Sequence, residues 1–67
     1  MAITLKAARV NKNLTQKEAS KYLKISEDKL SRYERGLQFP TVPEIQKMEE
    51  LYGVSYNEII FLPEKNG

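Results

Sequence analysis

Charged side chains with several hydrogen-bonding atoms lie close together in the middle of the chain, at Asp28, Lys29, Arg32 and Arg35. An arginine guanidinium carries a planar fork of N–H donors, which can bond guanine O6 and N7, or two phosphate oxygens, at the same time. Asp28 precedes Arg32 by four residues, the spacing at which an acid and a base share one face of a helix. This grouping could bind a polyanion by hydrogen bonds. The alternative is an ordinary solvated helix surface, with Asp28 only complementing the helix dipole.

The residues that most catalytic and metal sites need are missing. The 67-residue chain has no cysteine and no histidine, which excludes disulfides and ordinary zinc sites. Without histidine, cysteine or a glycine-rich phosphate loop, the usual nucleophile and acid–base sets cannot be assembled. No apolar run approaches the length of a membrane span, and we expect no signal peptide. We therefore expect no enzyme, no metal or other cofactor, no small-molecule ligand and no membrane association.

The charges are unevenly distributed along the chain. Residues 1–37 carry nine Lys/Arg and four Asp/Glu, a net charge of +5, whereas residues 38–67 carry two Lys/Arg and five Asp/Glu, a net charge of −3. This asymmetry indicates one basic face that meets a polyanion. Ordinary scatter of charges in a small soluble domain explains it equally well.

The charged cluster needs two helices to position it, and both have local start signals. Thr15 and Glu18 have the spacing of a capping box, which predicts a helix over about residues 16–23. Ser26 can cap a second helix over residues 26–35, and Gly36 can end it. The apolar residues of this unit recur at helical spacing, which predicts that the two helices pack together; they are Ala19, Leu23, Ile25, Leu30 and Tyr33.

Three further helices are predicted, so the chain is expected to be all-α and one domain. Thr4 can cap a helix over residues 5–11, and Thr41 with Glu44 starts another that Gly53 ends. Ser55 starts a short fifth helix that ends near residue 60 or 61. The predicted core has ten members, which are Leu5, Ala19, Leu23, Leu30, Tyr33, Ile45, Met48, Leu51, Val54 and Ile59.

Four stretches carry a resemblance to a known family. They are Leu-Thr-Gln-Lys-Glu-Ala at 14–19, Ile-Ser at 25–26, Leu-Ser-Arg-Tyr-Glu-Arg-Gly at 30–36 and Leu-Tyr-Gly-Val-Ser at 51–55. Together they resemble the phage repressor and Cro family of helix-turn-helix proteins, often called XRE-like. The resemblance implies a compact five-helix, lambda repressor-like domain over residues 1–62, with its motif at 16–35. Pro63 ends regular structure, so we expect a loose tail at 63–67.

The resemblance also implies site residues for a sequence-specific regulator, with the second motif helix in the major groove of an operator in double-stranded DNA. The implied base-reading residues are Ser26, Glu27, Asp28, Lys29 and Arg32. The residue expected to contact phosphate by resemblance is Gln16, and Lys17 and Arg35 are phosphate candidates by charge. Arg32 lies nearest the centre of the exposed face and is expected to be the principal reader, although it could grip only the backbone or only Asp28.

One ion pair is expected inside the domain. Arg9 lies near the inner side of the first helix, and Glu34 lies beside Leu30 and Tyr33 on the inward face of the second motif helix. The family often pairs an arginine with a glutamate at these places, so both lines of reasoning join Arg9 to Glu34. The alternative is a solvated Arg9.

The apolar end of the chain predicts a homodimer on DNA. Residues 59–62 are Ile59, Ile60, Phe61 and Leu62, which is more apolar surface than a short terminal helix needs. The alternative is that they only close the core of a monomer.

Two departures from the family pattern favour a second function. Acids stand at Glu27 and Asp28, where they repel phosphate, and the loop at residues 37–41 has no Lys or Arg to grip it. Either feature fits a protein-interaction module, such as an antitoxin-like or coactivator-like adaptor. For both functions we expect a cytoplasmic protein, bacterial or phage-encoded and nucleoid-associated, and we expect no separate sensor or protease-like domain.

Overall fold

The structure, a computed structural model, describes residues 2–61 of the chain. It has four α-helices, which are α1 (Leu5–Asn11), α2 (Gln16–Leu23), α3 (Glu27–Glu34) and α4 (Val42–Tyr52). Two short strands, β1 (Ile3–Thr4) and β2 (Ile59–Ile60), form a parallel pair, and one 3-10 turn spans Tyr56–Glu58. No helix within residues 2–61 is both long and apolar enough to cross a lipid bilayer. The predicted loose tail at 63–67 lies outside the described residues.

Side chains of threonine and serine start the helices where the sequence predicted them. Thr15 accepts a hydrogen bond from the Glu18 backbone (3.1 Å), and the Glu18 carboxylate accepts one from the Thr15 backbone (2.9 Å). The same reciprocal pair joins Thr41 and Glu44. Each box satisfies N–H groups that have no partner inside the helix, so the first turn holds its shape.

The turn after α2 departs from the residue type that such turns favour. Lys24 ends α2 in the left-handed conformation with φ 60° and ψ 42°, a region that glycine enters without strain. A side chain there costs on the order of 1 kcal/mol. The turn holds because the Ile25 backbone donates to the Ser20 carbonyl (3.0 Å) and Ile25 is half-buried beneath it.

The prediction of five helices was wrong, because residues 2–61 form four. The Ser55–Glu58 capping box is present, but the chain makes a single 3-10 turn and then extends, so that Ile59 lies opposite Ile3 and Ile60 opposite Thr4. These four residues are all β-branched, which favours extended backbone over helix. The all-α description is therefore corrected to a mostly helical domain with one small strand pair.

The core lies where the helices and the strand pair meet. It comprises Leu5, Ala8, Ala19, Leu23, Leu30, Tyr33, Ile45, Met48, Tyr52 and Ile59. Two predicted members, Leu51 and Val54, are only half-buried against it. Leu30, Ala19 and Met48 are fully enclosed, which fixes how α2, α3 and α4 are placed relative to one another.

Candidate nucleic-acid interface

The burial of α3 on one side decides which of its side chains meet solvent. Leu30, Tyr33 and Glu34 are buried, so the opposite face carries the exposed side chains. Asp28 and Arg32 are exposed on this opposite face, Glu27 is exposed in the first turn, and Ser26 and Arg35 are exposed at the two caps of the helix. The Ser26 hydroxyl accepts a hydrogen bond from the Lys29 backbone (3.0 Å) and so caps α3. Of the predicted base-reading residues, Ser26, Glu27, Asp28 and Arg32 are thus exposed, and Lys29 is half-buried.

Arg32 is closed onto Asp28 in the free protein. Its Nη2 lies 2.6 Å from Oδ2 of Asp28, and the two side chains are 51% and 66% exposed. An ion pair this accessible to water contributes well under about 1 kcal/mol. The guanidinium can therefore leave Asp28 for another acceptor at small cost.

Lys29 of α3 forms an ion pair with Glu44 of α4. Its Nζ lies 3.3 Å from Oε2 of Glu44, at the start of α4, and 6.0 Å from the centre of the Tyr33 ring. The contact with Glu44 is the main reason why the pKa of Lys29 is raised. Lys29 is therefore fully charged at neutral pH and partly neutralised by its neighbour.

Glu44 has more partners than any other carboxylate at this edge of α3. Its Oε1 accepts hydrogen bonds from the Tyr33 hydroxyl (2.6 Å) and the Thr41 backbone (2.9 Å). Burial opposes the charged form, but these bonds and Lys29 outweigh it, so the pKa of Glu44 is lowered. The sequence analysis assigned Glu44 only a capping role, and no local pattern points to its contacts with α3.

Arg9 and Glu34 meet inside the domain, and Gln16 joins them. Arg9 donates to both oxygens of Glu34, from Nε (2.7 Å) and Nη2 (3.2 Å), and from Nη1 to the Leu14 carbonyl (2.8 Å). The Gln16 amide donates to Oε1 of Glu34 (3.0 Å). The bond to Glu34 raises the pKa of Arg9 against the opposing effect of burial. The first residue of α2 is thereby tied to the last residue of α3.

The pattern of elements agrees with a known family along most of the chain. Residues 5–59 match the family model described as "Helix-turn-helix". The chain belongs to this family. Within it, the chain is similar to the HTH-type transcriptional regulator ImmR of Bacillus subtilis (strain 168), with 39% identity over 56 residues. That similarity covers 84% of this chain and 44% of ImmR, so the chain spans less than half the length of this relative. No solved structure matches the chain significantly.

The two helices of the predicted motif correspond to α2 and α3 in the structure. Of the three predicted phosphate contacts, Lys17 and Arg35 are exposed, whereas Gln16 is half-buried and bonded to Glu34. One N–H of the Gln16 amide makes that bond, which leaves the second N–H available to an outside acceptor.

The predicted dimer residues of this helix-turn-helix domain have different surroundings. Ile59 is buried inside the domain (8% exposed) and cannot contribute surface to an interface as it stands, whereas Ile60 is 41% exposed. Phe61 is half-buried and packs against Phe39, with ring centres 4.7 Å apart. Leu62 lies outside the described residues.

Proposed function

We propose that this protein is a sequence-specific DNA-binding transcriptional regulator that places α3 in the major groove and represses transcription by occupying an operator. The observation that carries the proposal is the exposed polar face of α3 on a helix-turn-helix scaffold, with Arg32 near its centre. A helix of this kind presents base-reading side chains from its N-terminal half. The similarity to a protein named as a transcriptional regulator supports the same function.

Roles follow from the chemistry of each side chain. Arg32 reads guanine through its two-pronged fork once it leaves Asp28. Ser26 and Glu27, at the start of α3, flank this contact and can bond neighbouring base edges. Phosphate groups are held by Arg35 and by two residues of α2, namely Lys17 and the free N–H of Gln16.

The operator complex is proposed to be a homodimer. A single module of this size reads few base pairs, and a symmetric pair doubles the site with half-sites about 10 base pairs apart or a multiple of that. Ile60 supplies exposed apolar surface at the end of the described chain, next to the half-buried Phe61. Sedimentation that shows a monomer both free and on operator DNA would rule out the dimer.

Selection of bound sequences from a random DNA pool tests the proposed function. A regulator of this kind enriches a defined half-site and reveals the half-site spacing at the same time. Recovery of the starting pool without any enriched sequence would contradict sequence-specific binding.

The apolar groove between α4 and the 3-10 turn favours a second function, that of an adaptor that binds another protein. It has a volume of about 310 Å³ and is lined by Phe39, Val42, Ile45, Gln46, Glu49 and Tyr56. Such a groove suits an adaptor that binds another protein. A salt titration with random duplex DNA separates the two functions, because phosphate-driven binding weakens steeply as salt rises and binding between apolar surfaces does not.

A further inference from the structure

Glu44 reaches across from α4 to the edge of the DNA-facing helix, where its carboxylate is fixed. One oxygen accepts from the Thr41 backbone and the Tyr33 hydroxyl, while the other faces the Lys29 ammonium at 3.3 Å. The Glu44 side chain is only 15% exposed. Because the capping box and Tyr33 both hold this carboxylate, it cannot follow Lys29 if the lysine swings outward.

The two ion pairs of α3 therefore differ in kind. Asp28 is exposed and flexible, so its pair with Arg32 opens easily. Glu44 is fixed and mostly shielded from water, so its pair with Lys29 is less screened. Lys29 must give up this partner, and its place near the Tyr33 ring, before it can contact a phosphate.

We propose that Glu44 is a positioning residue that withholds Lys29 from the DNA backbone and so weakens the sequence-independent part of DNA binding. This inference rests on the proposed DNA-binding function. Each phosphate neutralised by a protein cation makes the slope of log affinity against log salt more negative by about 0.9. At about 0.15 M salt, one withheld contact corresponds to about fivefold weaker binding to any duplex.

Glu44→Gln is the sharpest variant for the test. The amide keeps an oxygen that can accept from the Thr41 backbone and the Tyr33 hydroxyl, and glutamine serves in capping boxes as glutamate does. Only the negative charge facing Lys29 is lost. Glu50→Gln is the matched control, since Glu50 is an exposed acid on the same helix. Thermal melts followed by circular dichroism check that both variants fold.

The measurement is the affinity for a random-sequence duplex over a range of salt. We expect Glu44→Gln to bind about fivefold more tightly at about 0.15 M salt, with a slope steeper by about 0.9. In a Lys29→Met background the same substitution should produce little of this gain. An equal gain in affinity in that background would show that the charge of Glu44 acts on DNA directly rather than through Lys29. That result would overturn the inference.

A second comparison does not depend on Glu44→Gln folding. Because Lys29 is withheld, Lys29→Met in the otherwise unchanged protein should alter the salt slope far less than Lys17→Met. If Lys29→Met and Lys17→Met reduced the salt slope equally, the inference would be overturned. If the unchanged protein binds DNA and Glu44→Gln has no effect, only the inference fails. If none of the proteins binds DNA, the proposed function fails and the inference falls with it.

Discussion

Arg9 and Glu34 are joined by two hydrogen bonds, of 2.7 and 3.2 Å, although they lie 25 residues apart in the chain. Both are buried, with exposures of 8% and 7%. The pair connects α1 to the last turn of α3 and, through Gln16, to the first turn of α2. It therefore fixes the two motif helices against the rest of the domain.

Removal of one member of this pair should cost more than removal of both. Arg9→Met or Glu34→Leu alone leaves an uncompensated buried charge, for which we expect a loss of about 3–5 kcal/mol in the free energy of unfolding. The double variant should lose less than either single variant, because it leaves no unpaired buried charge. Urea unfolding of all four proteins measures the coupling, and strictly additive losses would mean that the two residues do not interact.

Leu30→Ala should destabilise the domain by about 2–5 kcal/mol, because it leaves a cavity at a fully buried site. Such a loss approaches the whole stability of a domain this small. Leu37→Ala is the matched control, since Leu37 is 65% exposed. An unchanged melting temperature for Leu30→Ala would contradict the core assignment.

Tyr52→Phe should be neutral or stabilising at neutral pH. The Tyr52 hydroxyl is buried and has no hydrogen-bond partner among residues 2–61, so replacing it with hydrogen removes an unsatisfied group. Thermal melts of the two proteins measure the difference. A loss above about 1 kcal/mol would indicate that the hydroxyl makes a stabilising contact.

Because of Tyr52, the free energy of unfolding should fall at alkaline pH. Burial, aided by Glu34 and opposed by Arg9, raises the pKa of Tyr52 to about 12. An unfolded tyrosine has a pKa of about 10. Between these values the unfolded chain releases the proton while the folded chain keeps it, so stability falls as pH rises.

The loss due to Tyr52 should reach about 2–3 kcal/mol near pH 12. Urea unfolding of the unchanged protein and Tyr52→Phe from pH 9 to 12 isolates it, since other groups titrate in both proteins. Parallel stability curves would show that Tyr52 does not shift its pKa on folding.

Arg32→Ala should weaken operator binding by about 1–3 kcal/mol and flatten the preference at one base pair. Lys17→Ala should instead weaken binding to all sequences alike and lower the salt slope by about 1. The measurement is the affinity of each variant for the operator and for substitutions at each of its base pairs. An unchanged ranking of sequences for Arg32→Ala would eliminate Arg32 as a reader.

Features that depend on residues a few positions apart could be predicted from the sequence alone. The starts of α2 and α4 follow from Thr15 with Glu18 and from Thr41 with Glu44, because a capping box joins residues three apart. The inward face of α3 follows from the spacing of Leu30 and Tyr33. Helical spacing places Arg9 and Glu34 on inward faces, and the family resemblance pairs them, so this ion pair was also predicted from the sequence.

Features that depend on how distant segments meet were decided only by the tertiary structure. The capping box at Ser55 is the same whether a helix or a single turn follows, and the outcome depends on pairing between β2 and β1 from opposite ends of the domain. Likewise, Lys29 and Glu44 come together only because α3 and α4 pack against the same core. The sequence determined which residues of α3 could lie away from the core, and the packing of α4 decided which of its cations are already engaged.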